Sequence, residues 1–283
     1  MQKQQSIHTT ISPDAYKILE RYEQELGRKN VVIEKALRMM DKPRYKARLN
    51  IKDSKAGIER VKTGIIGFDN LIEGGIPKGF TIIVTGPPGT GKTTFSMQFL
   101  REGILNKEKC IFFSFEEDAE QLINHFLRFR WDVVKYVDDG WLELYGLSML
   151  TTEEIIEILE AYKPKRVVFD SINVFSGNED FRRSSAWRSL IKLIKREKMI
   201  CLIITEKKHG LKLIEYDDYD FMGDGIIFLD KQIDNNVEIS LLSVLKMRAT
   251  NINSIPKPFK FTINGVELYG GYQLDATKWM QEK

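Results

Sequence analysis

The feature that most constrains this chain is a loop at residues 86–94, whose sequence is GPPGTGKTT. An apolar run at residues 80–85 precedes the loop, and a helical pattern follows it. In this order of strand, loop and helix the motif G-x-x-x-x-G-K-[ST] binds phosphate, because its glycines let successive backbone N–H groups point at an anion. A glycine-proline turn would not need every fixed position of the motif. We therefore predict a nucleoside triphosphate site formed by Gly86, Pro87, Pro88, Gly89, Thr90, Gly91, Lys92, Thr93 and Thr94.

Two side chains are predicted to hold the Mg²⁺ ion that accompanies the nucleotide. The Thr93 hydroxyl can bind the metal, while the Lys92 ammonium can reach the β- and γ-phosphates. Asp170 ends an apolar run at residues 166–169, and the carboxyl ends of parallel strands meet beside the phosphate loop. A strand-terminal aspartate taken alone is more often a cap or turn residue. Its position downstream of the phosphate loop favours the metal, so we expect a nucleoside triphosphate and Mg²⁺ as cofactors.

From about residue 57 onward, buried-strand runs alternate with helical patterns. This alternation predicts an α/β fold, a mostly parallel sheet covered by helices on both faces. The strand runs lie at residues 80–85, 110–115, 166–169, 199–205 and 224–229, and the helical patterns at about 92–104, 117–128, 152–161 and 181–198. Runs at 237–247 and 259–263, followed by Asn264-Gly265, predict antiparallel strands that close one edge.

Glu116 and Glu117 follow the second apolar run and are candidates for catalysis. A carboxylate at this end of the sheet can orient the water that attacks the γ-phosphorus. Both glutamates could instead belong to the first turn of the next helix, where the helix dipole favours negative charge. That alternative suits Glu117, whereas Glu116 is expected to lie still on the strand.

Several motifs together resemble KaiC-like and RadA-like ATPases of the RecA superfamily. The resemblance rests on TGIIGFDNL at residues 63–71, GGIPKG at residues 74–79 and the SFEE ending of the second strand run. It continues in the same order through Arg182-Arg183, Thr205-Glu206, Asp224-Gly225 and Lys246-Met247-Arg248, and covers roughly residues 57–270. It implies a RecA-type core that hydrolyses ATP, with Glu116 as catalytic base and Thr205-Glu206 at a strand end that senses the γ-phosphate. The chain departs from KaiC in having one such domain instead of two, in Ala249 where glycine is common, and in lacking identifiable autokinase residues.

The same resemblance implies that Lys246 and Arg248 reach the nucleotide of a neighbouring subunit. Two residues apart on a strand, they would share one face and could neutralise charge on the γ-phosphate as an arginine finger does. Without the resemblance, two solvated cations at a strand edge would be the simpler explanation. The trans-acting role predicts a homo-oligomer, with a hexameric ring as the expected form.

Residues 1–41 are expected to form a separate basic module ahead of an exposed linker at 42–56 and an ATPase domain at 57–283. The first 50 residues carry 11 Lys and Arg against 6 Asp and Glu. Alternation at residues 6–11 and two apolar helical stripes resemble the ribbon-helix-helix fold, in which two chains pair their strands. The module could serve only to dimerise the chain. The resemblance also implies DNA contacts, with the major groove and with phosphates, by Ser6, His8, Thr10, Arg28 and Lys29.

Composition limits the location and the competing functions. No apolar run approaches the ~20 residues that cross a bilayer, the first ten residues lack a signal-peptide core, and the two cysteines are isolated. We therefore expect a cytoplasmic protein without membrane contact. A nucleotide-gated scaffold with slow turnover stays open, although intact Asp170, Glu116, Lys246 and Arg248 argue against an inactive one. A second alternative also stays open, a RadA-paralogue recombination accessory that binds single-stranded DNA. It would use a basic loop with Lys207, Lys208, His209 and Lys212.

Overall fold

The computed structural model describes residues 10–40, 57–146, 150–172, 185–207, 223–234 and 236–270. The chain divides into two compact units between Gly57 and Ile58. Several predicted features lie outside the described residues: Ser6 and His8, the linker at 42–56, Arg182-Arg183, and the basic residues at 208–212. In the parts of the chain that are described, no helix has both the length and the apolar composition needed to cross a bilayer.

The described part of the first unit consists of two helices, α1 (Pro13–Leu26) and α2 (Lys29–Met40). Ser12 begins α1, because its Oγ accepts a hydrogen bond from the Ala15 N–H at 3.3 Å. Gly27 ends the helix with φ 91°, and its N–H donates to a carbonyl of the last turn. Both helices were expected from the apolar stripes, and their presence is confirmed.

The second unit is built on one large sheet. A small antiparallel ribbon, β1 (Arg60–Val61) with β2 (Ile76–Pro77), precedes it, and a 3₁₀ helix (Asp69–Ile72) lies between these two strands in sequence. The strands of the large sheet are β3 (Thr81–Gly86), β4 (Cys110–Ser114), β5 (Leu142–Tyr145), β6 (Arg166–Asp170), β7 (Ile200–Glu206), β8 (Gly225–Asp234), β9 (Val237–Met247), β10 (Lys257–Thr262) and β11 (Gly265–Leu268). Its helices are α3 (Lys92–Leu105), α4 (Ala119–Leu127), α5 (Val133–Asp138), α6 (Thr152–Tyr162) and α7 (Ser185–Arg196).

Among the described residues, the sheet has nine strands in the order β11-β10-β9-β8-β3-β7-β6-β4-β5. The six strands from β8 to β5 are parallel, and β9, β10 and β11 continue the sheet antiparallel. The predicted α/β fold and its antiparallel edge are thus confirmed. Because the six parallel strands begin on one side and end on the other, the sheet has an amino edge, where they begin, and a carboxyl edge, where they end.

Hydrophobic layers cover both faces of the sheet. Ile82 of β3 packs with Phe95 and other residues of α3 in one layer. Its neighbour Ile83 points to the other face and packs with Leu159 of α6 and Leu190 of α7. Successive side chains of a strand alternate between faces, so a strand buried on both sides must be apolar throughout. This requirement explains the continuous apolar runs in the sequence.

Three local differences separate the predictions from the structure. The strand β5 and the short helix α5 were not predicted. The helix predicted at 117–128 begins at Ala119, because Asp118 and Gln121 form a capping box. Asp118 Oδ1 accepts a hydrogen bond from the Gln121 N–H at 2.8 Å, and Gln121 Oε1 accepts one from the Asp118 N–H at 3.2 Å. Finally, β4 ends at Ser114, so the expectation that Glu116 lies on the strand was wrong: Glu116 is two residues beyond its end.

Candidate functional site

The loop at residues 86–94 joins β3 to α3 at the carboxyl edge of the sheet. Gly86 has φ 150°, and a Cβ there would lie 1.9 Å from a backbone carbonyl oxygen of β8. Gly91 caps α3 with φ 93°, and a Cβ there would lie 2.4 Å from the ring of Phe261 on β10. Both positions therefore require glycine, and the loop leads directly into the N-terminus of α3, where backbone N–H groups attract anions.

Lys92 is the first residue of α3 and is buried, with 6% of its surface exposed. Its Nζ donates to the carbonyl oxygens of Gly86 at 3.0 Å and Pro87 at 2.9 Å, and it lies 3.6 Å from Glu206 Oε1. Burial lowers the pKa of this ammonium, while the nearby carboxylates of Glu206 and Asp170 oppose that change. The Lys92 ammonium, which in this motif binds the terminal phosphates, is thus bonded to carbonyl oxygens of the loop itself.

The two predicted metal ligands meet at the carboxyl edge. Asp170 ends β6 and is buried, and the Thr93 hydroxyl forms a hydrogen bond with its carboxylate. Burial raises the pKa of Asp170 to about 7; the Thr93 hydrogen bond and Lys92 work against this rise, and the negative charge of Glu116 adds to it. The raised pKa shows that the nearby ammonium does not fully balance the charge of the buried carboxylate. A carboxylate and a hydroxyl in this position are oxygen donors that fit Mg²⁺.

Glu116 is exposed and is oriented by a residue that the sequence analysis did not identify. Ser171 Oγ donates a hydrogen bond to Glu116 Oε1 at 2.6 Å. Ser171 directly follows Asp170, so the same strand end that supplies the metal ligand also positions the predicted base. Ser114 at the end of β4 stabilises the intervening turn, because its Oγ accepts a hydrogen bond from the Glu117 N–H at 2.9 Å. Adjacency to Asp170 was the only signal for Ser171 in the sequence.

Glu117 is not a residue of the first helical turn, so that alternative was wrong. It precedes the N-cap Asp118, and its Oε1 lies 4.0 Å from Nδ1 of His125. Its other carboxylate oxygen is buried without a hydrogen-bond partner among the described residues. Its negative charge contributes to the raised pKa of Asp170. Glu117 therefore lies at the same edge as Glu116, in a more enclosed position.

The end of β7 lies beside the phosphate loop. Thr205 pairs with Thr85, and Glu206 pairs with Gly86, the first residue of the loop. Glu206 also faces Lys92, as described above. The register therefore brings the strand end that the resemblance associates with γ-phosphate sensing next to the lysine of the motif.

Lys246 and Arg248 lie at the opposite, amino edge. Lys246 Nζ donates to the Gly223 carbonyl at 2.7 Å, and Arg248 Nη1 donates to Asp224 Oδ1 at 3.1 Å. Asp224 also accepts a hydrogen bond from the N–H of Thr81, where β3 begins. Five residue steps of roughly 3.3 Å separate this end of β3 from the phosphate loop, a distance of ~16 Å, so neither cation serves the loop of its own chain.

The expectation that these two cations share a strand face was wrong for Arg248. β9 ends at Met247, and the pairing between β8 and β9 shifts register between Ile226 and Ile227. Arg248 is 60% exposed and is held by Asp224, not by the strand ladder. Both cations, at the carboxyl-terminal end of β9, nevertheless bond to the same segment, residues 223–224.

The candidate DNA contacts of the first unit are only partly described. Thr10 and Arg28 are exposed. Lys29 Nζ donates to the Tyr16 hydroxyl at 2.6 Å and lies 3.6 Å from Glu23, so it is engaged within the unit. Its hydrogen bond with Tyr16 raises the pKa of Lys29. DNA contact by this unit remains a prediction.

Comparison with known proteins gives four sequence matches. The model of the KaiC ATPase family matches residues 61–272, and a family N-terminal domain model matches residues 11–44. The circadian clock oscillator protein KaiC of Synechococcus elongatus is 30% identical over 241 residues, which are 78% of this chain and 46% of that protein. UPF0273 protein PF1931 of Pyrococcus furiosus is 32% identical over 234 residues, covering 75% of this chain and 94% of its own length.

A solved structure has the same fold as the second unit. The crystal structure of KaiC-like protein PH0186 from Pyrococcus horikoshii OT3 superposes with a TM-score of 0.67 at 32% identity, covering 75% of this chain and 100% of that one. The chain spans about half the length of the KaiC proteins that it matches, 46% for the Synechococcus protein.

Proposed function

The chain belongs to the KaiC family of ATPases, and from that premise we propose that it is a Mg²⁺-dependent ATPase that hydrolyses ATP to ADP and phosphate at the interfaces of a homo-oligomer. One observation carries the proposal. The proposed site is divided between the two edges of the sheet. The carboxyl edge holds the loop with Lys92, the Thr93–Asp170 pair and the Ser171–Glu116 pair, whereas the amino edge holds Lys246 and Arg248. A complete site then needs the carboxyl edge of one subunit and the amino edge of another.

The residues of the carboxyl edge have distinct parts in this reaction. The N–H groups of the loop and the N-terminus of α3 bind the phosphate oxygens, and Lys92 adds a positive charge. Thr93 and Asp170 would hold Mg²⁺, and the ion would supply positive charge against the negative charge of the phosphates. Glu116 orients the attacking water and accepts its proton, and the Ser171 hydrogen bond leaves the second carboxylate oxygen of Glu116 for that task.

Lys246 and Arg248 complete the site of a neighbouring subunit. Charge that develops on the γ-phosphate during transfer is stabilised by a cation placed beside it in advance. Arg248 is 60% exposed, and Asp224, which is itself buried, fixes one of its nitrogens. Such an anchored and exposed guanidinium suits contact with a ligand on another molecule. We expect a hexameric ring as the assembled form.

Mixing two inactive variants tests the shared site. Glu116→Gln removes the base and Arg248→Ala removes the cation, so each homo-oligomer should hydrolyse ATP at least 100-fold more slowly, on the order expected for such groups. In an equal mixture, about a quarter of head-to-tail interfaces would combine both intact halves. Partial recovery of activity on mixing supports the proposal. No recovery in mixtures shown to co-assemble, or concentration-independent activity in a confirmed monomer, would overturn it.

For the domain arrangement we propose a ribbon-helix-helix module at residues 1–41, a linker at 42–56 and the ATPase domain at 57–283. Apolar side chains on both helices of the first unit are exposed, including Ile18 at 52% and Leu37 at 50%. A unit of this size buries too little surface alone, which supports pairing with a second copy. We further propose that the paired module contacts duplex DNA. Removal of residues 1–41 should abolish duplex binding and leave ATP binding intact; unchanged duplex affinity would refute the DNA contact.

A further inference from the structure

A cavity of about 510 Å³ opens at the amino edge of the sheet. It lies where β4, β6 and β7 begin, at the opposite end of these strands from the phosphate loop. Its lining includes six lysines, three glutamates and one tryptophan, namely Lys78, Lys107, Lys109, Lys163, Lys165, Lys198, Glu59, Glu108, Glu197 and Trp141. We call the five lysines other than Lys78 the basic cluster.

The three glutamates of this cavity do not neutralise the basic cluster. Glu59 pairs with Lys78, Glu108 lies 2.7 Å from Nε of the buried Arg166, and Glu197 lies 2.7 Å from Nε of Arg196. Within the described parts of the chain, no lysine of the basic cluster lies in an ion pair with a carboxylate. All five are exposed. The cavity therefore presents an excess of positive charge, which Glu59 offsets in part, since the pKa of that carboxyl is lowered by Lys78 and, to a smaller extent, by Lys198.

Helix dipoles account for only part of this charge. Lys107, Lys163 and Lys198 follow the carboxyl ends of α3, α6 and α7, where a cation offsets the negative end of the dipole. All three have positive φ, between 53° and 60°, a conformation in which glycine or asparagine is the usual residue. Lysine at each of the three positions supplies charge that the backbone geometry does not require.

Lys109 and Lys165 have no such explanation. They immediately precede the neighbouring strands β4 and β6, and the Lys165 N–H donates to the Lys109 carbonyl at 2.8 Å. Like charges on adjacent strands repel each other, which costs stability unless an anion lies between them. The Lys109 ammonium also lies 4.7 Å from the centre of the Tyr162 ring.

An aromatic side chain lines the same cavity. Trp141 precedes β5 and is half-buried, with its apolar contacts in the layer that covers one face of the sheet. Exposed ammonium groups around an aromatic ring match the chemistry of a single-stranded nucleic acid, whose phosphates bind cations and whose bases stack on aromatic rings. We propose that this cavity binds a single-stranded nucleic acid, with phosphates on the basic cluster and a base against Trp141.

The test uses the full chain and a fluorescein-labelled oligothymidylate of twenty nucleotides. The Lys163→Gln/Lys165→Gln variant removes two charges from the basic cluster. The Lys135→Gln/Lys192→Gln variant is the matched control, because it removes two charges from exposed lysines elsewhere in the same unit. Fluorescence anisotropy gives the affinity of each variant between 50 and 300 mM KCl, a range over which phosphate contacts are resolved by their salt dependence.

Each phosphate contact with a single strand adds about 0.7 to the slope of log affinity against log salt, so the cluster variant should lose about 1.4 from that slope. If the cluster variant and the unmodified chain bind equally at 1 M salt, a slope difference of about 1.4 corresponds to an affinity loss on the order of 25-fold at 0.1 M salt. The control variant should bind like the unmodified chain. Duplex binding should be the same in both variants, because the first unit is the proposed duplex contact.

Trp141→Phe supplies an independent readout. It keeps an aromatic ring in the core contact while removing the indole, so oligonucleotide-dependent quenching of tryptophan fluorescence should fall without loss of folding. Equal affinity and slope in the cluster and control variants would overturn the proposal. Absence of oligothymidylate binding by the full chain would do so as well, and so would displacement of the oligonucleotide by equimolar tripolyphosphate, which would assign the cavity to a small anion.

Discussion

At the scale of single residues, the carboxylates of the carboxyl edge differ in their exposure to solvent. Asp170 is buried, and its pKa is raised to about 7 because burial disfavours its charge. Glu116 is exposed, and Ser171 fixes one of its oxygens. A buried carboxylate suits a cation that supplies the missing positive charge, whereas an exposed one can exchange a proton with water. The environment of each group therefore matches the role proposed for it.

Replacing Ser171 by alanine should slow hydrolysis without weakening ATP binding. The change removes the 2.6 Å hydrogen bond that orients Glu116 and leaves the loop untouched. We expect kcat to fall roughly tenfold, as for loss of one orienting hydrogen bond, while KM for ATP stays within twofold. Steady-state kinetics would show this. Ser189→Ala is the control, since among the described residues the Ser189 hydroxyl donates to the Ser185 carbonyl of α7. A parallel rise in KM would instead place Ser171 in nucleotide binding.

Replacing Asp170 by asparagine should stabilise the protein in the absence of metal and nucleotide, most strongly at high pH. The folded-state pKa of about 7 exceeds the ordinary value of 3.8. Below pH 3.8 the carboxyl is protonated in the folded and the unfolded protein, and its charge costs no stability. As pH rises toward about 7, the unfolded protein ionises first, so the free energy of unfolding falls, and the loss is complete above the folded-state pKa. Urea unfolding should give a gain in free energy of unfolding of at most about 4 kcal/mol at pH 8 and a smaller gain at pH 5.

A matched control accompanies this comparison. Asp138→Asn, which changes an exposed aspartate, is measured at the same two pH values. Saturating Mg²⁺ and ATP should reverse the order of stability at pH 8, because the asparagine variant loses a metal ligand. A pH-independent gain in Asp170→Asn would show that folding does not raise the pKa of Asp170.

At the scale of elements, the start of the phosphate loop is packed against β8. Gly86→Ala would place a Cβ 1.9 Å from a carbonyl oxygen of that strand, so either the loop or β8 must move. Gly89→Ala is a close control, because a Cβ there meets nothing within 4 Å although φ is 74°. We expect Gly89→Ala to cost about 1 kcal/mol of stability from backbone strain alone. Gly86→Ala should cost more and weaken ATP binding at least tenfold, as measured by calorimetric titration. Equal effects would contradict the packing argument.

The elements that the sequence predicted are those with a strong local signal. Continuous apolar runs predicted the buried strands β3, β4, β6 and β7, and the phosphate-loop motif predicted the start of α3. β5 was missed because its residues, Leu142–Tyr145, lie at the sheet edge and are mostly half-buried, so the run is short and mixed. The start of α4 was placed two residues early, because the capping box of Asp118 and Gln121 was overlooked. The Ser171–Glu116 contact joins two strand ends, and no local pattern announces such a pair.

At the scale of the whole molecule, Asp224 links the amino edge to the proposed catalysis. It accepts hydrogen bonds from Arg248, from Lys195 at 3.4 Å and from the Thr81 N–H at 3.2 Å. The carboxylate is buried, so its partners are held in fixed positions. Arg248 is thereby set at a defined place on the surface that we propose faces the next subunit.

Asp224→Asn should therefore impair hydrolysis by the assembled protein. The amide keeps a similar shape but loses the charge that orients Arg248, so we expect activity at saturating ATP to fall roughly tenfold. ATP binding should be unchanged, because the phosphate loop lies at the other edge. Activity and binding assays on samples matched for assembly by light scattering would test this. A loss of assembly in place of a loss of turnover would make Asp224 a structural residue only.

The separation of the loop from Lys246 and Arg248 by the length of β3 has a further consequence under the proposed function. An open chain of subunits always holds one fewer shared site than it has members, since one end keeps an unmatched loop and the other an unmatched pair of cations. Closing the chain joins these two ends and creates the last site without adding protein. Turnover per subunit would thus increase when the ring closes, so the rate of ATP consumption would itself report the completeness of the assembly.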